Sequence, residues 1–341
     1  MTADYTTAGD TSAAYKVIGA EESPYSVKVR AYLRYKQLPH QWLSRADVPE
    51  LYQRHARLPL IPLVVTPDDQ ALQDSTPIIT TIEARHPEPS IYPSDNVCRF
   101  ICSLLEEFAD EWGNKWMFHY RWAREADQLA CSRRLAERMA PGQDEQTLAA
   151  AARTIRERMV DRVWFVGSSA AIAQQIEDSF KDTLALLEPH FAQREYLFGR
   201  QPAFADFALW GQLYNTHRDP TPRNILEHQA PSTLAWIKRM ASPESSGDFE
   251  SWSTLSATLK PLLIDQVAGL ILPWSVANER AIRQQTESFT VTLRSGDWTQ
   301  KPQKHHARSL QALQNQYQEL SADKLLNEVL EECRCLKFLI G

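Results

Sequence analysis

Ser23-Pro24-Tyr25-Ser26 is the first stretch of this chain whose residue types and spacing suggest chemistry. Proline suits the first position of a helix, and a serine before it can accept a free backbone N–H of the first turn. A helix start carries partial positive charge and unpaired donors, so a thiolate placed there is stabilised. A thiol titrates near pH ~8.5, and each unit of depression is worth about 1.4 kcal/mol. A serine hydroxyl donating to a bound sulfur would add a charge-assisted hydrogen bond. The same four residues also read as an ordinary helix cap. Glu21 and Glu22 stand immediately before Ser23, and negative charge beside a thiolate raises its pKa.

Two other short motifs could handle a small polar ligand. Leu60-Ile61-Pro62-Leu63 opens a strand-like run, where a proline is tolerated as the first residue. Gln73-Asp74-Ser75-Thr76-Pro77-Ile78 opens a helical pattern. Ser75 and the first N–H groups of that helix suit a carboxylate, and Asp74 suits an ammonium. An Asp-Ser-x-Pro start is equally a plain capping sequence.

The elements that must position these motifs follow from hydrophobic spacing. Tyr15–Ile18 reads as a strand, Pro24 to Gln37 as a helix, residues 41–43 as a strand and Pro49 to Arg57 as a short helix. Residues 62–65 and 71–73 form a strand pair turning at Asp68-Asp69, and Ser75 to Arg85 is a helix stopped by Pro87 and Pro89. The order β-α-β-α-β-β-α matches a thioredoxin-like domain. Of ten tryptophans, nine fall after residue 90, so the chain changes character there. From Arg99 onward the pattern is helical, with Ile172, Ile176, Phe180, Leu184, Leu187 and Phe191 on one face. The expected fold class is α+β with two domains: a thioredoxin-like N-terminal domain and an all-α C-terminal bundle, followed by a mostly helical C-terminal extension. The expected divisions are a disordered tail at 1–13, the first domain at 14–88, the helical domain at 98–241, a serine-rich linker at 242–261 and the extension at 262–341. That extension holds a helix kinked at Pro273, a strand at 289–293 and two closing helices near 305–320 and 322–337.

Ser23-Pro-Tyr-Ser-Val-Lys-Val-Arg30 resembles the active-site turn of the serine-type glutathione transferases. Glutaredoxins have a similar turn with Cys-Pro-Tyr-Cys; serine at both sulfur positions here excludes dithiol exchange. The resemblance implies that Ser23 activates the sulfur of bound glutathione. It also implies that Pro62 is cis, that Ile61 pairs with the glutathione cysteinyl backbone, and that Asp74 and Ser75 hold the γ-glutamyl end. Tyr196-Leu-Phe-Gly199 followed by Ala203-Phe-Ala-Asp206-Phe resembles the family's C-terminal signature, with Ala203 where the family prefers Ser or Thr. Asp206 is expected to support a helix start. In the family, the first long helix of the bundle lines the electrophile pocket. Here Trp112, Trp116 and Tyr120 stand at i, i+4 and i+8, and read either as a second-substrate pocket or as core packing. His119 lies on the same helix.

With 37 basic and 43 acidic residues, the chain lacks the basic footprint of a nucleic-acid binder, and it has no polybasic segment for anionic lipid. Apolar runs such as Val267 to Trp274 are too short to span a bilayer, and the N-terminus does not read as a signal peptide. Five cysteines form no regular framework, and neither Cys333-x-Cys335 nor His305-His306 has zinc-site spacing. The expectation is a cytoplasmic protein with no metal, no nucleic-acid partner and no membrane, and a homodimer by resemblance. Three functions fit. The first is a glutathione transferase whose co-substrate thiolate attacks a small apolar electrophile. The second is a glutathione-dependent isomerase, reductase or dehalogenase. The third is a non-catalytic binding or scaffold protein of the same fold.

Overall fold

Tyr15, Val17 and Ile18 are buried because β1 (Tyr15–Ile18) is an inner strand of a four-stranded sheet. The computed structural model describes residues 14–304 and 306–340; the tail at 1–13 and His305 lie outside the described residues. The sheet order is β2-β1-β3-β4, formed with β2 (His40–Leu43), β3 (Leu63–Val65) and β4 (Ala71–Gln73). β1 and β2 run parallel, and β3 is antiparallel to both β1 and β4. Helices α1 (Pro24–Tyr35), α2 (Pro49–His55) and α3 (Ser75–Arg85) complete the thioredoxin-like domain. Alternation along the inner strands separates two cores. Val17 and Val64 join the main apolar cluster, while Ile18 and Leu63 pack with Tyr52.

The second domain is helical. It comprises α4 (Asn96–Glu107), α5 (Asn114–Ala123), α6 (Glu125–Met139), α7 (Glu145–Val160), α8 (Ala173–Phe191), α9 (Phe204–His217), α10 (Pro220–Gln229) and α11 (Pro231–Arg239). A π-helical stretch, Phe108–Gly113, joins α4 to α5 without a break. α9 is buried almost throughout. Its start lacks a cap oxygen at Ala203, and the Asp206 carboxylate instead accepts the Ala203 and Leu197 N–H groups, both at 2.9 Å, and the Trp236 indole N–H at 3.0 Å.

The stretch at 242–261 is not a free linker. Arg200 and Glu250 donate their N–H groups to Asp248 and Phe198 carbonyls, so the segment lies against the turn at 198–200. α12 (Trp252–Leu262) begins inside it. It runs through a π-helical turn, Leu263–Ile271, into α13 (Leu272–Arg283). The resulting helix, Trp252–Arg283, is 32 residues long and apolar enough by length and composition to cross a membrane, contrary to the expectation from short apolar runs. Here its Leu255, Leu259, Val267 and Leu270 side chains are packed in the main core. Pro273 lies inside this continuous helix, just past the π-helical turn, where it has no N–H to donate to the carbonyl one turn before. A hairpin of β5 (Phe289–Leu293) and β6 (Gly296–Gln300) follows, then α14 (His306–Leu320) and α15 (Lys324–Glu332). One continuous apolar cluster runs from the first domain into the extension.

Candidate functional site

Leu63 is the register point of the site. It pairs with Ile18 of β1 on one side and with Gln73 of β4 on the other. The residues just beyond these three partners therefore gather at one end of the sheet. They are the loop to Ser23 after β1, Ile61-Pro62 before β3, and Asp74-Ser75 after β4. Motifs up to 52 residues apart in sequence become neighbours because three short strands end together.

Each motif is held locally. Ser23 has an extended backbone and is the N-cap of α1; its Oγ accepts the Ser26 N–H at 3.2 Å. Gly19 sits where a side chain would press on Ser26 and on the Trp42 ring, both within 2.9 Å of an added Cβ. Ser26 is buried, and its Oγ has no hydrogen-bond partner among the described residues. The Ile61–Pro62 peptide is cis. The loop before it is fixed by two side chains that sequence reasoning missed. Gln73 accepts the Arg57 and Leu58 N–H groups and donates to the Leu58 and Leu60 carbonyls. The Tyr52 hydroxyl donates to Leu60 O at 2.8 Å. Asp74 adopts φ 75° and ψ 133°, a positive-φ conformation outside the left-handed helical region and strained for a residue other than glycine, and this turns the chain sharply from β4 into α3. Asp74 is exposed, whereas Ser75 is 1% exposed with its Oγ unpartnered among the described residues. An orphaned hydroxyl at a helix start fits a ligand that accepts a hydrogen bond there.

Glu21 and Glu22 do not leave bare charge beside Ser23. Glu21 meets Arg30 at 2.8 Å and accepts from the Tyr214 hydroxyl at 2.5 Å. Glu22 meets Arg138 at 2.7 Å and Arg218 at 3.6 Å. Burial works against the Glu21 charge, but Arg30 holds its carboxyl below the usual range all the same.

The helical domain backs this end of the sheet. α1 rests on α9 at Gly211, where a Cβ would lie 2.5 Å from the Pro24 carbonyl oxygen. The Tyr25 hydroxyl donates to the Asp110 carbonyl at 3.0 Å. Lys28, fully buried, extends from α1 to Asp110 at 2.6 Å and Glu106 at 2.7 Å. Desolvation opposes its charge, yet the two carboxylates raise its pKa above the ordinary lysine value. One ammonium cannot neutralise two buried carboxylates, so burial pushes Asp110 up to about 7 despite Lys28. A lysine one turn inside a helix start gave no signal in the sequence, because its partners lie 78 and 82 residues away.

The aromatic stripe is interior. Trp112, Trp116 and Tyr120 are at most 1% exposed, and both indole N–H groups donate to Ser179 Oγ, at 3.1 and 2.7 Å. Trp112 packs on Trp274 and Trp298 of the extension. These contacts match the core-packing alternative; the three residues do not line an open cleft. His119 bonds to Ser168 and Glu177. His306 bonds to Gln303 and Glu111. Among the described residues, no three or more His, Cys, Asp or Glu side chains converge as a metal site.

Residues 17–90 match the glutathione S-transferase N-terminal domain family, and residues 143–239 match the glutathione S-transferase C-terminal domain family. No curated protein sequence matches the chain significantly. Solved structures similar to it include a glutathione S-transferase from Methylobacterium radiotolerans in complex with glutathione sulfonate. That structure is 19% identical, covering 70% of this chain and 98% of that one, with a TM-score of 0.41. A beta-etherase from Sphingobium is 18% identical, with coverage of 67% and 96% and a TM-score of 0.46. A maleylacetoacetate isomerase from Anaeromyxobacter dehalogenans is 21% identical, with coverage of 67% and 90% and a TM-score of 0.35. The two domain matches flank the α1–α9 contact, take in the cis-proline turn and the Asp206 helix start, and together span just over half of the chain, which therefore belongs to the glutathione S-transferase superfamily.

Proposed function

We propose that the chain binds glutathione at the sheet end and acts as a glutathione transferase on a small apolar electrophile. The observation that carries this reading is the alignment of Ser23, Ile61-Pro62 and Asp74-Ser75 beyond the paired ends of β1, β3 and β4. In this reading Ile61 offers its backbone to the cysteinyl unit beside Pro62, and Ser75 with the α3 N–H groups binds the γ-glutamyl carboxylate. Asp74 takes the ammonium. Ser23 and the start of α1 stabilise the thiolate, which then attacks the electrophilic atom of the second substrate and displaces its leaving group. The arginines paired with Glu21 and Glu22 keep those carboxylates from opposing ionisation. We place the protein in the cytoplasm as a homodimer, which mass in solution would test.

The test is kinetic. Ser23→Ala should lower turnover of an aryl halide by about 10-fold or more, the loss expected for one charge-assisted hydrogen bond to the sulfur, while calorimetric affinity for glutathione changes little. Unchanged turnover would remove Ser23 from the reaction. No binding heat at millimolar glutathione would favour a non-catalytic scaffold.

A further inference from the structure

His119 is a buried titratable side chain that the glutathione reading does not use. It projects from α5 and is 1% exposed. Its Nδ1 lies 2.8 Å from Ser168 Oγ, and its Nε2 lies 3.2 Å from Glu177 Oε1 on α8. Arg124 donates to the same Glu177 carboxylate.

The partners fix the tautomer. An ionised carboxylate only accepts, so the imidazole proton sits on Nε2 and points to Glu177. Nδ1 then presents its lone pair to Ser168, whose O–H must donate. Burial lowers the His119 pKa, with Glu177 opposing, which keeps the ring a neutral base. This is the order of a nucleophile, a base and an orienting acid.

Ser168, 5% exposed, is one of the residues that line a surface depression. A hollow of about 230 Å³ is lined by Ser168, Ser169, Gly167, Trp164, Thr299 and Lys301. Its far wall is β6, so the extension completes it. Gly167 has φ +80°, and a Cβ there would lie 2.4 Å from Gln300 Oε1. Only glycine lets the loop lie this close to the hairpin. Trp164 is 52% exposed and offers an apolar wall. The Ser169 N–H makes no hydrogen bond among the described residues, which leaves it available to an oxyanion.

We propose that Ser168, His119 and Glu177 form a second catalytic centre that hydrolyses small carboxylic esters with an apolar acyl group. Ser168 Oγ attacks the acyl carbon while its proton passes to His119 Nδ1. The carbonyl reforms, the bond to the alkoxy oxygen breaks, and His119 returns the proton to the leaving alcohol. Water, deprotonated by His119, then attacks the acyl-serine. The acid leaves and Ser168 regains its proton, so the net change is ester plus water to acid plus alcohol. Glu177 acts as a positioning residue through His119.

The experiment uses the full chain and two probes. A fluorophosphonate reagent should phosphonylate Ser168 with loss of fluoride, seen as a mass adduct on its peptide. p-Nitrophenyl acetate should be hydrolysed in the absence of glutathione. Ser168→Ala should abolish both, and His119→Asn should slow both about 100-fold or more. Ser168→Ala is the decisive change: it strands the buried His119 Nδ1 and should lower the thermal midpoint by a few degrees, so both readouts are taken on protein shown to be folded by circular dichroism. Glu177→Gln should shift the acid limb of the labelling rate to lower pH. It removes the carboxylate that raises the His119 pKa and leaves Arg124, the other charged group facing the ring, to lower it. No adduct on Ser168, or ester hydrolysis unchanged in Ser168→Ala, would overturn the proposal. An adduct of equal rate in folded His119→Asn would do so too.

Discussion

Two lysines, both buried to within 1% of their surface, hold two different seams and do so in opposite ways. Lys28 joins the thioredoxin-like domain to the helical domain through two carboxylates within 2.7 Å, and its charge is raised in stability. Lys115 lies where the extension meets the helical domain, with its Nζ 4.0 Å from the Trp274 ring and 5.4 and 5.5 Å from those of Trp112 and Trp298. Its hydrogen-bond acceptor is the Val166 carbonyl at 3.4 Å. Desolvation drives its pKa down to about 7, with Glu111 opposing. Burial is equal at the two sites, so the partners decide the outcome. Carboxylates compensate a buried ammonium; ring faces do so only in part. The first seam is therefore electrostatic and backs the sheet end that carries Ser23, while the second is aromatic and is tied by Lys115 to the Val166 carbonyl.

The comparison breaks most visibly at Lys28. Lys28→Met should cost about 3–5 kcal/mol of stability by stranding Glu106 and Asp110, measured by urea unfolding near neutral pH. A loss below about 1 kcal/mol would mean the carboxyls simply take up protons. At the aromatic seam, Ser179→Ala leaves two buried indole N–H groups without their acceptor and should cost about 1–3 kcal/mol. Lys115→Met should act in the other direction, gaining about 1–2 kcal/mol near pH 6. The sign follows from linkage. The folded pKa, about 7, lies below the unfolded value of ~10.5. The penalty is therefore complete below pH ~7, fades as pH rises from ~7 to ~10.5, and is gone above that. The gain from Lys115→Met should shrink correspondingly in alkaline buffer. A gain independent of pH would show that the Lys115 pKa is the same in the folded and unfolded states. Gly211→Ala should cost about 1–3 kcal/mol of stability by overpacking, because its methyl would lie 2.5 Å from the Pro24 carbonyl oxygen. The start of α1 must shift to make room, so glutathione affinity should fall as well.

What the sequence revealed followed the reach of its signals. The strand–helix order of the first domain was legible because period-two and helical runs are local. The cis proline and the Ser23 cap were legible because their motifs are contiguous. The Asp206 helix start was legible for the same reason. The role of Lys28 was not, since a lysine among Val27, Val29 and Arg30 reads as a solvated position until α4 covers it. The Trp112, Trp116 and Tyr120 stripe left pocket and core equally open, because helical spacing tells which face is apolar and not what covers it. The extension covers Trp112 through Trp274 and Trp298, while Phe180 of α8 packs on Trp116 and Tyr120. The serine-rich stretch from 242 read as a linker by composition, yet its backbone bonds to residues 198–200 anchor it and α12 starts within it. Ser168, His119 and Glu177 lie 49 and 58 residues apart and share no motif.

The central claim is that the sheet end binds glutathione and that Ser23 lowers the pKa of its thiol. The most direct test is the ultraviolet thiolate absorbance of glutathione bound to the protein, followed against pH in the wild type and in Ser23→Ala. The account predicts an apparent pKa at least one unit below the ~8.5 of a free thiol, returning toward that value in the variant. A bound thiol that titrates like free glutathione in the wild type, or equally in both proteins, would contradict it.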